Sequence, residues 1–173
     1  DHNIKNIMAA IIGCKLLNID LDIIKKSITS FTGVEHRIEF VRELRGVKYY
    51  NDSKGTNPDS TEVAVAAMDG DVILIAGGYD KGAEFDDLIE KSKDKIKTAI
   101  LFGETAEKIS KACKENDLEF YITKDLNKAV ELAEKISCEG DDVLLSPACA
   151  SWDMYSDYEV RGQHFKDLVK ELV

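Results

Sequence analysis

The 173-residue sequence contains few of the residues that mark stapled or metal-bound small proteins. It has two prolines, three histidines, one tryptophan and four cysteines, which are Cys14, Cys113, Cys138 and Cys149. The cysteines form no C-x-x-C pair, and no set of His, Cys, Asp and Glu has a spacing typical of metal ligands. Because a chain of this length can bury a substantial core without staples, we expect reduced thiols in a cytoplasmic protein.

Long apolar runs and an excess of positive charge are also missing. No stretch approaches the roughly 20 apolar residues of a membrane-spanning helix, and the opening DHNIKNIMAA lacks the features of a signal peptide. The 23 basic and 33 acidic residues give a net charge of −10. Coating a nucleic acid requires a basic surface, whereas a small anion needs only a few local cations. We therefore expect neither a membrane nor a nucleic acid as a partner.

The beginning of the chain has the pattern of two helices. Apolar residues recur at spacings of three and four between Ile4 and Leu16, which predicts an amphipathic helix. Asp20 is placed to cap a second helix that carries the apolar residues Ile23, Ile24, Ile28 and Phe31. The following stretch, TGVEH at 32–36, has no periodicity and contains a glycine, so it is predicted to be a linker.

After this stretch the pattern changes to an alternation of strands and helices. Segment 37–50 turns at Arg45-Gly46 and is predicted to be a hairpin, although Phe40-Val41 interrupts its alternation. Continuous apolar runs at 72–76, 99–102 and 143–145 predict buried parallel strands, with a weaker strand at 119–122. Helical patterns separate these runs, and a further helix at Phe165 to Leu172 closes the chain. This order predicts an α/β domain with a mostly parallel sheet.

Three loops that follow predicted strands contain residues typical of binding sites. Ligands of open α/β sheets bind beyond the carboxyl ends of the strands, where these loops lie. The loop at 50–58, YNDSKGTNP, combines a carboxylate, an ammonium, hydroxyls and amides at a helix start, which suits an anionic group. A simple N-cap by Asn57 is the alternative interpretation, but a cap needs only one such residue.

The other two loops are less specific. The loop at 77–82, GGYDKG, has glycines that permit a close backbone approach, yet it matches neither G-x-G-x-x-G nor the P-loop G-x-x-x-x-G-K-[ST]. A tight turn with an exposed Asp-Lys pair is the alternative. The loop at 146–154, SPACASWDM, carries Cys149, but no histidine is placed to activate it. We therefore interpret Cys149 as a small buried residue.

Five segments together resemble the Mur ligases, in order and over essentially the whole chain. They are HNIKN at 2–6, EHRIE at 35–39, YNDSKGTN at 50–57, AGGYDKG at 76–82 and LSPACASWD at 145–153. Within this family, the NDSK and SPACAS segments are similar to those of members that add D-glutamate rather than other amino acids. Two positions depart from the family pattern. Gly55 stands where alanine is common, and Trp152 where a smaller or different apolar residue often stands.

The resemblance implies that this sequence is part of a three-domain enzyme. Mur ligases have a UDP-sugar domain, a central P-loop ATPase domain and a carboxy-terminal Rossmann-like domain. Residues 1–33 resemble the helical tail of the central domain, and residues 34–173 resemble the complete carboxy-terminal domain. On this interpretation the sequence begins inside a motif at Asp1. The P-loop, the carbamylated lysine and the Mg²⁺ ligands of the family would lie in the missing part, so the chain alone is expected to be inactive.

The resemblance also implies a reaction and a set of binding residues. ATP phosphorylates the alanyl carboxylate of UDP-N-acetylmuramoyl-L-alanine, the amine of D-glutamate attacks the acyl phosphate, and ADP and phosphate leave, in peptidoglycan precursor synthesis. The residues that match nucleotide contacts are Asn3, Asn6, Arg37, Asp52 and Lys54. Those that match the D-glutamate pocket are Thr56, Lys81, Ser151, Trp152 and Tyr158. The resemblance places no catalytic residue and no metal ligand in this chain.

Two other functions remain open from the sequence. One is a related amide ligase of the folyl-polyglutamate type, against which the segment at 146–152 argues. The other is a non-catalytic α/β binding module, such as a receiver-like domain with Asp52 as the phosphate acceptor. A receiver needs an acidic pair at its first strand end, whereas Asn51-Asp52 supplies a single carboxylate.

Overall fold

The computed structural model describes residues 2–31 and 33–173, which form two compact units, Asp1–Val34 and Glu35–Val173. The first unit contains α1 (His2–Leu16) and α2 (Leu21–Thr29). The Asp22 N–H donates to Asp20 Oδ1 at 2.8 Å, which confirms Asp20 as the cap of α2. Neither helix is long and apolar enough to cross a bilayer, and the same holds for the helices of residues 33–173.

The second unit is a six-stranded sheet with helices on both faces. The strand order is β1-β2-β6-β3-β4-β5, in which β1 and β2 are antiparallel and the other neighbours are parallel. The strands are β1 (Glu39–Leu44), β2 (Val47–Asn51), β3 (Val72–Ala76), β4 (Ile96–Leu101), β5 (Phe120–Ile122) and β6 (Asp142–Leu145). The helices are α3 (Pro58–Ala66), α4 (Asp86–Ser92), α5 (Ala106–Glu115), α6 (Leu126–Ile136) and α7 (Tyr158–Glu171). The predicted α/β class with a mostly parallel sheet is confirmed.

The continuous apolar runs are strands because both of their faces are covered. All five residues of β3 are buried, with Val72 and Leu74 in one core cluster and Ile73 and Ile75 in the other. The first cluster includes apolar residues of α3, α4 and α5, and the second includes those of α6 and α7. A strand that is covered on both faces loses the alternation of a half-exposed strand, which is why it reads as an uninterrupted apolar segment.

The predicted hairpin is confirmed, and the interruption at Phe40-Val41 has a structural basis. The register between β1 and β2 shifts between Phe40 and Arg42, as expected for a β-bulge. Strand β4 begins earlier than predicted, at Ile96 rather than at Ala99. The polar residue Lys97 interrupts the apolar run, so the apolar pattern did not indicate that the strand begins at Ile96. The Lys97 side chain leaves the strand and forms an ion pair with Asp141 at 2.7 Å.

The strand order determines where the three loops lie. β6 pairs with β2 on one side and with β3 on the other, and all three strands run parallel. The loops at 50–58, 146–154 and 77–82 follow β2, β6 and β3 respectively, so they leave the same edge of the sheet side by side. The fold therefore brings together loops that are about 20 to 90 residues apart in sequence, at the edge where open α/β sheets bind ligands.

Candidate functional site

The loop at 50–58 is held around a buried carboxylate. Asp52 is only 4% exposed, and its Oδ1 accepts the Ile38 N–H at 3.2 Å. Its Oδ2 accepts the Ser146 hydroxyl at 2.7 Å, and Ser146 Oγ lies 2.9 Å from Thr61 Oγ1 on α3. At the end of the loop, Asn57 Oδ1 accepts the Ser60 N–H at 2.9 Å and caps α3, as predicted. Asp52 thus links the loop at 50–58 to the loop at 146–154.

Burial dominates the electrostatics of this carboxyl group. It raises the pKa of Asp52 to about 6, against the opposing effects of the Ser146 hydroxyl, the Ile38 N–H and the Arg37 charge. Because the pKa is higher in the folded than in the unfolded state, the folded state binds the proton more tightly. The stability contributed by protonated Asp52 is therefore present at low pH and is lost as the pH rises towards 6.

We expect the substitution Asp52→Asn to remove this pH dependence. Relative to the original chain, the variant should be more stable at pH 7 than at pH 4, so the difference in the free energy of unfolding rises by about 2 kcal/mol over this range. Urea titrations of both proteins across this range measure the difference, with Asp59→Asn, at an exposed carboxylate on α3, as the control. Parallel pH profiles for the Asp52 variant and the original chain would show that the buried carboxyl is not the titrating group.

The loop at 77–82 is attached to the loop at 146–154 by backbone hydrogen bonds. The Gly77 N–H donates to the Pro147 carbonyl and the Tyr79 N–H to the Ala150 carbonyl, both at 2.9 Å. Gly77 and Gly78 have φ angles of +119° and +146°. Residues other than glycine rarely adopt such positive φ angles, so the predicted need for glycine in this loop is confirmed. The two loops therefore form a continuous surface, on which the rings of Tyr79 and Trp152 pack with centroids 5.6 Å apart.

Cys149 is buried beneath this surface. It is 2% exposed, and its Sγ lies 3.2 Å from Thr105 Oγ1. Burial raises the pKa of the Cys149 thiol to about 11, which keeps it protonated at neutral pH. The interpretation of Cys149 as a small buried residue is confirmed. All four cysteines carry free thiols.

Arg161 on α7 fastens two of the loops to each other, and the sequence analysis did not identify it. The side chain is fully buried. Its guanidinium donates to Ser53 Oγ at 3.0 Å and to the carbonyl oxygens of Ser53, Cys149 and Ala150 at 2.9 to 3.2 Å. Burial lowers the pKa of Arg161 to about 10, so it remains cationic at neutral pH. Its spacing of four residues from the buried Phe165 was the available signal, because it places Arg161 on the apolar face of α7.

The matched nucleotide residues occupy different environments. Arg37 and Lys54 are exposed and Asp52 is buried, and Lys54 Nζ lies 5.6 Å from the centre of the Tyr158 ring. Asn6 is exposed on α1 of the first unit, and the side chain of Asn3 lies outside the described residues. The structure thus gathers Arg37, Asp52 and Lys54 around one loop, while the two asparagines belong to the other unit.

The matched D-glutamate residues line the adjoining loops and the start of α7. Thr56 is half-buried, and its N–H donates to the Lys54 carbonyl at 2.9 Å. Lys81 and Trp152 are exposed, Ser151 is buried and Tyr158 is half-buried. The contact of Lys54 with Tyr158 brings a residue matched to the nucleotide next to one matched to D-glutamate.

The glycine at position 55 has a physical reason in this chain. A Cβ atom there would lie 2.4 Å from Asp52 Oδ2 and 2.7 Å from Ser146 Oγ. A side chain at this position would therefore push apart the hydrogen-bonded pair that joins the two loops. Glycine stands here in place of the alanine of the family pattern, and Asp52 lies close to the backbone at this position.

One group of metal-ligating side chains occurs among the described residues, at Glu35, His36 and Glu39, and it does not fit Mg²⁺. The ammonium of Lys166 lies 2.5 Å from Glu35 Oε1 and 3.1 Å from Glu39 Oε1, so a cation already occupies the space between the two carboxylates. Magnesium requires a near-octahedral set of oxygen ligands and water, which this cluster does not offer.

With this geometry established, comparison with known proteins identifies the class. Residues 36–149 match the family described as "Mur ligase, glutamate ligase domain". This match covers more than half of the chain, which therefore belongs to the Mur ligase family.

Individual relatives show which members of the family the chain is similar to. The chain is 53% identical over 172 residues to the UDP-N-acetylmuramoylalanine–D-glutamate ligase of Clostridioides difficile, a match that covers 99% of the chain and 38% of that relative. Among solved structures it resembles MurF from Acinetobacter baumannii, with a TM-score of 0.72 at 14% identity over 96% of the chain and 38% of that protein. It also resembles the bifunctional folylpolyglutamate synthase/dihydrofolate synthase of Yersinia pestis, with a TM-score of 0.61 at 13% identity over 88% of the chain and 35% of that protein. These two likenesses concern the fold alone.

Proposed function

We propose that this chain is the carboxy-terminal part of an ATP-dependent ligase that joins D-glutamate to UDP-N-acetylmuramoyl-L-alanine through an acyl phosphate. One observation carries the proposal. Three loops resemble Mur ligase segments, and those at 50–58 and 146–154 resemble the D-glutamate-adding members. They leave adjacent strands β2, β6 and β3, and the loop at 146–154 is hydrogen-bonded to both of the others. Relatives that bear the name of this ligase, at up to 53% identity over nearly the whole chain, support it.

In this proposal the site divides into two neighbouring halves. Arg37 and Lys54 contact the nucleotide, and the buried Asp52 holds their loop in place. The second half contacts D-glutamate through Thr56, Lys81, Ser151, Trp152 and Tyr158. Both ligands are anions, whereas the net charge of the chain is −10. Binding therefore depends on the local cations, and the exposed ammonium groups of Lys54 and Lys81 are free to approach phosphate or carboxylate oxygens. Holding both reactants in position is most of what phosphoryl transfer requires of a protein.

The rest of the enzyme lies outside this chain, which spans 38% of the C. difficile relative. We place residues 1–33 at the end of a central ATPase domain, where Asn3 and Asn6 approach the adenine. The P-loop and the Mg²⁺ ligands belong to that domain, so the 173-residue chain alone has no ligase activity. The assembled enzyme acts in the cytoplasm, in peptidoglycan precursor synthesis.

Two observations weigh against the alternatives. The likeness to the folylpolyglutamate synthase is one of fold at 13% identity, whereas the relatives at 46–53% identity are named as D-glutamate ligases. A receiver-like function requires an accessible phosphate acceptor. The Asp52 carboxylate is 4% exposed, and both of its oxygens accept hydrogen bonds within the protein.

A chimeric enzyme tests the two halves of the site. The chimera carries this chain in place of the matching 38% of the C. difficile ligase. We expect Lys81→Met to raise the KM for D-glutamate at least tenfold and Lys54→Met to raise the KM for ATP at least tenfold, because each loses a charge-assisted contact. The matched control is Lys111→Met, at an exposed lysine on α5. An active chimera in which neither lysine variant changes the KM for ATP or for D-glutamate would show that the assignments of Lys54 and Lys81 are wrong.

A further inference from the structure

A buried lysine outside the matched site residues is connected to the loop at 50–58. Lys166 lies on α7 and is 8% exposed. Its Nζ donates to Glu35 Oε1 at 2.5 Å and to Glu39 Oε1 at 3.1 Å. Burial opposes the charged form of Lys166, but the hydrogen bonds to the two carboxylates outweigh it and raise the pKa of the ammonium. Lys166 is thus a fixed cation between two carboxylates.

The second oxygen of Glu39 carries the connection onward. Glu39 Oε2 accepts the His36 N–H at 2.9 Å and the Asn51 side-chain amide at 3.1 Å. The same Asn51 amide nitrogen lies 2.9 Å from His36 Nδ1, and Asn51 Oδ1 accepts the Ser53 N–H at 3.1 Å. The Asn51 side chain is therefore oriented at both ends, with its NH₂ towards Glu39 and His36 and its oxygen towards the loop backbone.

His36 provides a second route to the same loop. Its carbonyl oxygen accepts the Lys54 N–H at 3.0 Å. His36 and Ile38 have left-handed φ angles of +62° and +47°, which are unfavourable for residues other than glycine and need external support. Arg37, one of the matched nucleotide residues, lies between them. The hydrogen bonds from His36 to Glu39 and from Ile38 to Asp52 hold this short segment in place.

We propose that Lys166 is a positioning residue that orders the nucleotide half of the site through Glu39, His36 and Asn51. The contacts run from the ammonium of Lys166 to Glu39, from Glu39 to the His36 backbone and the Asn51 side chain, and from these to the backbone of Ser53 and Lys54. Without the ammonium, Glu39 keeps its charge next to Glu35 with no counter-ion and is drawn towards water, away from His36 and Asn51. The position of the loop is a property of this chain, while the identity of its ligand rests on the proposed function.

Amide hydrogen exchange on the 173-residue chain tests the positioning directly. In Lys166→Met, we expect the amides of Ser53 and Lys54 to exchange at least tenfold faster, while the amides of β4 keep their protection. Lys170→Met, at an exposed lysine one turn further along α7, is the matched control and should change neither set. Unchanged exchange at Ser53 and Lys54, or an equal loss of protection throughout the sheet, would overturn the proposal.

A second variant separates positioning from loss of packing. In Lys166→Met/Glu39→Gln, residue 39 is neutral but retains an oxygen that accepts from His36 and Asn51. We expect this double variant to recover most of the protection of Ser53 and Lys54 that Lys166→Met loses. Double-variant protection as low as that of Lys166→Met would show that the charge balance of Glu39 does not hold the loop, and would overturn the proposal.

The chimeric ligase shows whether the position of the loop matters for ATP. Lys166→Met should raise the KM for ATP about tenfold, change kcat less than threefold and leave the KM for D-glutamate unchanged. If the chimera is active and the KM for ATP does not change, the inference about the nucleotide half is wrong. If the unsubstituted chimera is inactive, the proposed function fails, while the exchange experiment still decides whether Lys166 positions the loop.

Discussion

Replacing Arg161 with methionine is expected to destabilise the second unit by about 3 kcal/mol. The substitution removes charge-assisted hydrogen bonds to Ser53, Cys149 and Ala150. The carbonyl oxygens of Ser53 and Cys149 lose the guanidinium donor, whereas that of Ala150 keeps the Tyr79 N–H. Each lost hydrogen bond costs roughly 1 to 3 kcal/mol of stability. The variant no longer has to bury a charged guanidinium, which offsets part of this loss. Urea unfolding measures the change, with Arg45→Met as the control because 70% of the Arg45 side chain is exposed.

The same variant tests whether Arg161 holds the two loops together. In the chimeric ligase we expect it to raise the KM for both ATP and D-glutamate, because Ser53 lies in one loop and Cys149 and Ala150 in the other. A variant whose stability stays within about 1 kcal/mol of the original would show that the cost of burying the guanidinium offsets its hydrogen bonds. In that case Arg161 does not contribute the net stability that we assign to it.

The second large effect is expected at Gly77. A Cβ at this position would lie 1.9 Å from the backbone oxygen of Phe102, and φ is +119°. Gly77→Ala must therefore move β3 away from the segment that follows β4, and we expect it to cost more than about 3 kcal/mol, the upper range of overpacking effects. Gly82→Ala separates the two causes, because φ there is +81° but a Cβ would have no heavy atom within 4 Å.

The comparison of the two glycine variants is made by thermal and urea unfolding. Gly82→Ala should cost only the roughly 1 to 2 kcal/mol of a left-handed backbone. An equal loss of stability in the two variants would contradict this expectation. It would mean that the contact between a Cβ at position 77 and the Phe102 carbonyl adds no cost, because the backbone there can move apart.

The local elements of this fold are predictable because their signals are local. β3 and β6 are continuous apolar runs, and the caps at Asp20 and Asn57 directly precede their helices. Strand order is a different matter. β6 comes last in the sequence yet pairs between β2 and β3, and no periodicity records which strands become neighbours. The adjacency of the three loops therefore became visible only in the structure.

The candidate site was predictable in part, through its exposed and polar residues. Lys54 and Lys81 stand out in the sequence because they lie in loops that follow predicted strands. Arg37 begins the predicted hairpin and is indicated only by the resemblance of the segment EHRIE to the Mur ligases. Arg161 and Lys166 do not stand out, because on a helix of mixed composition they resemble the many solvent-facing cations of this chain. Their burial depends on what α7 packs against, which is a property of the tertiary structure.

The amino-acid selectivity of the chimeric ligase tests the central claim most directly. UDP-N-acetylmuramoyl-L-alanine and ATP are supplied with D-glutamate or, separately, with L-glutamate, L-lysine or L-alanine, and the product is identified by mass spectrometry. We expect the D-glutamyl product and stoichiometric ADP with D-glutamate, and no amide product with the other amino acids. Because this chain provides the proposed amino-acid pocket, a chimera that joins another of these amino acids in preference to D-glutamate would contradict the account.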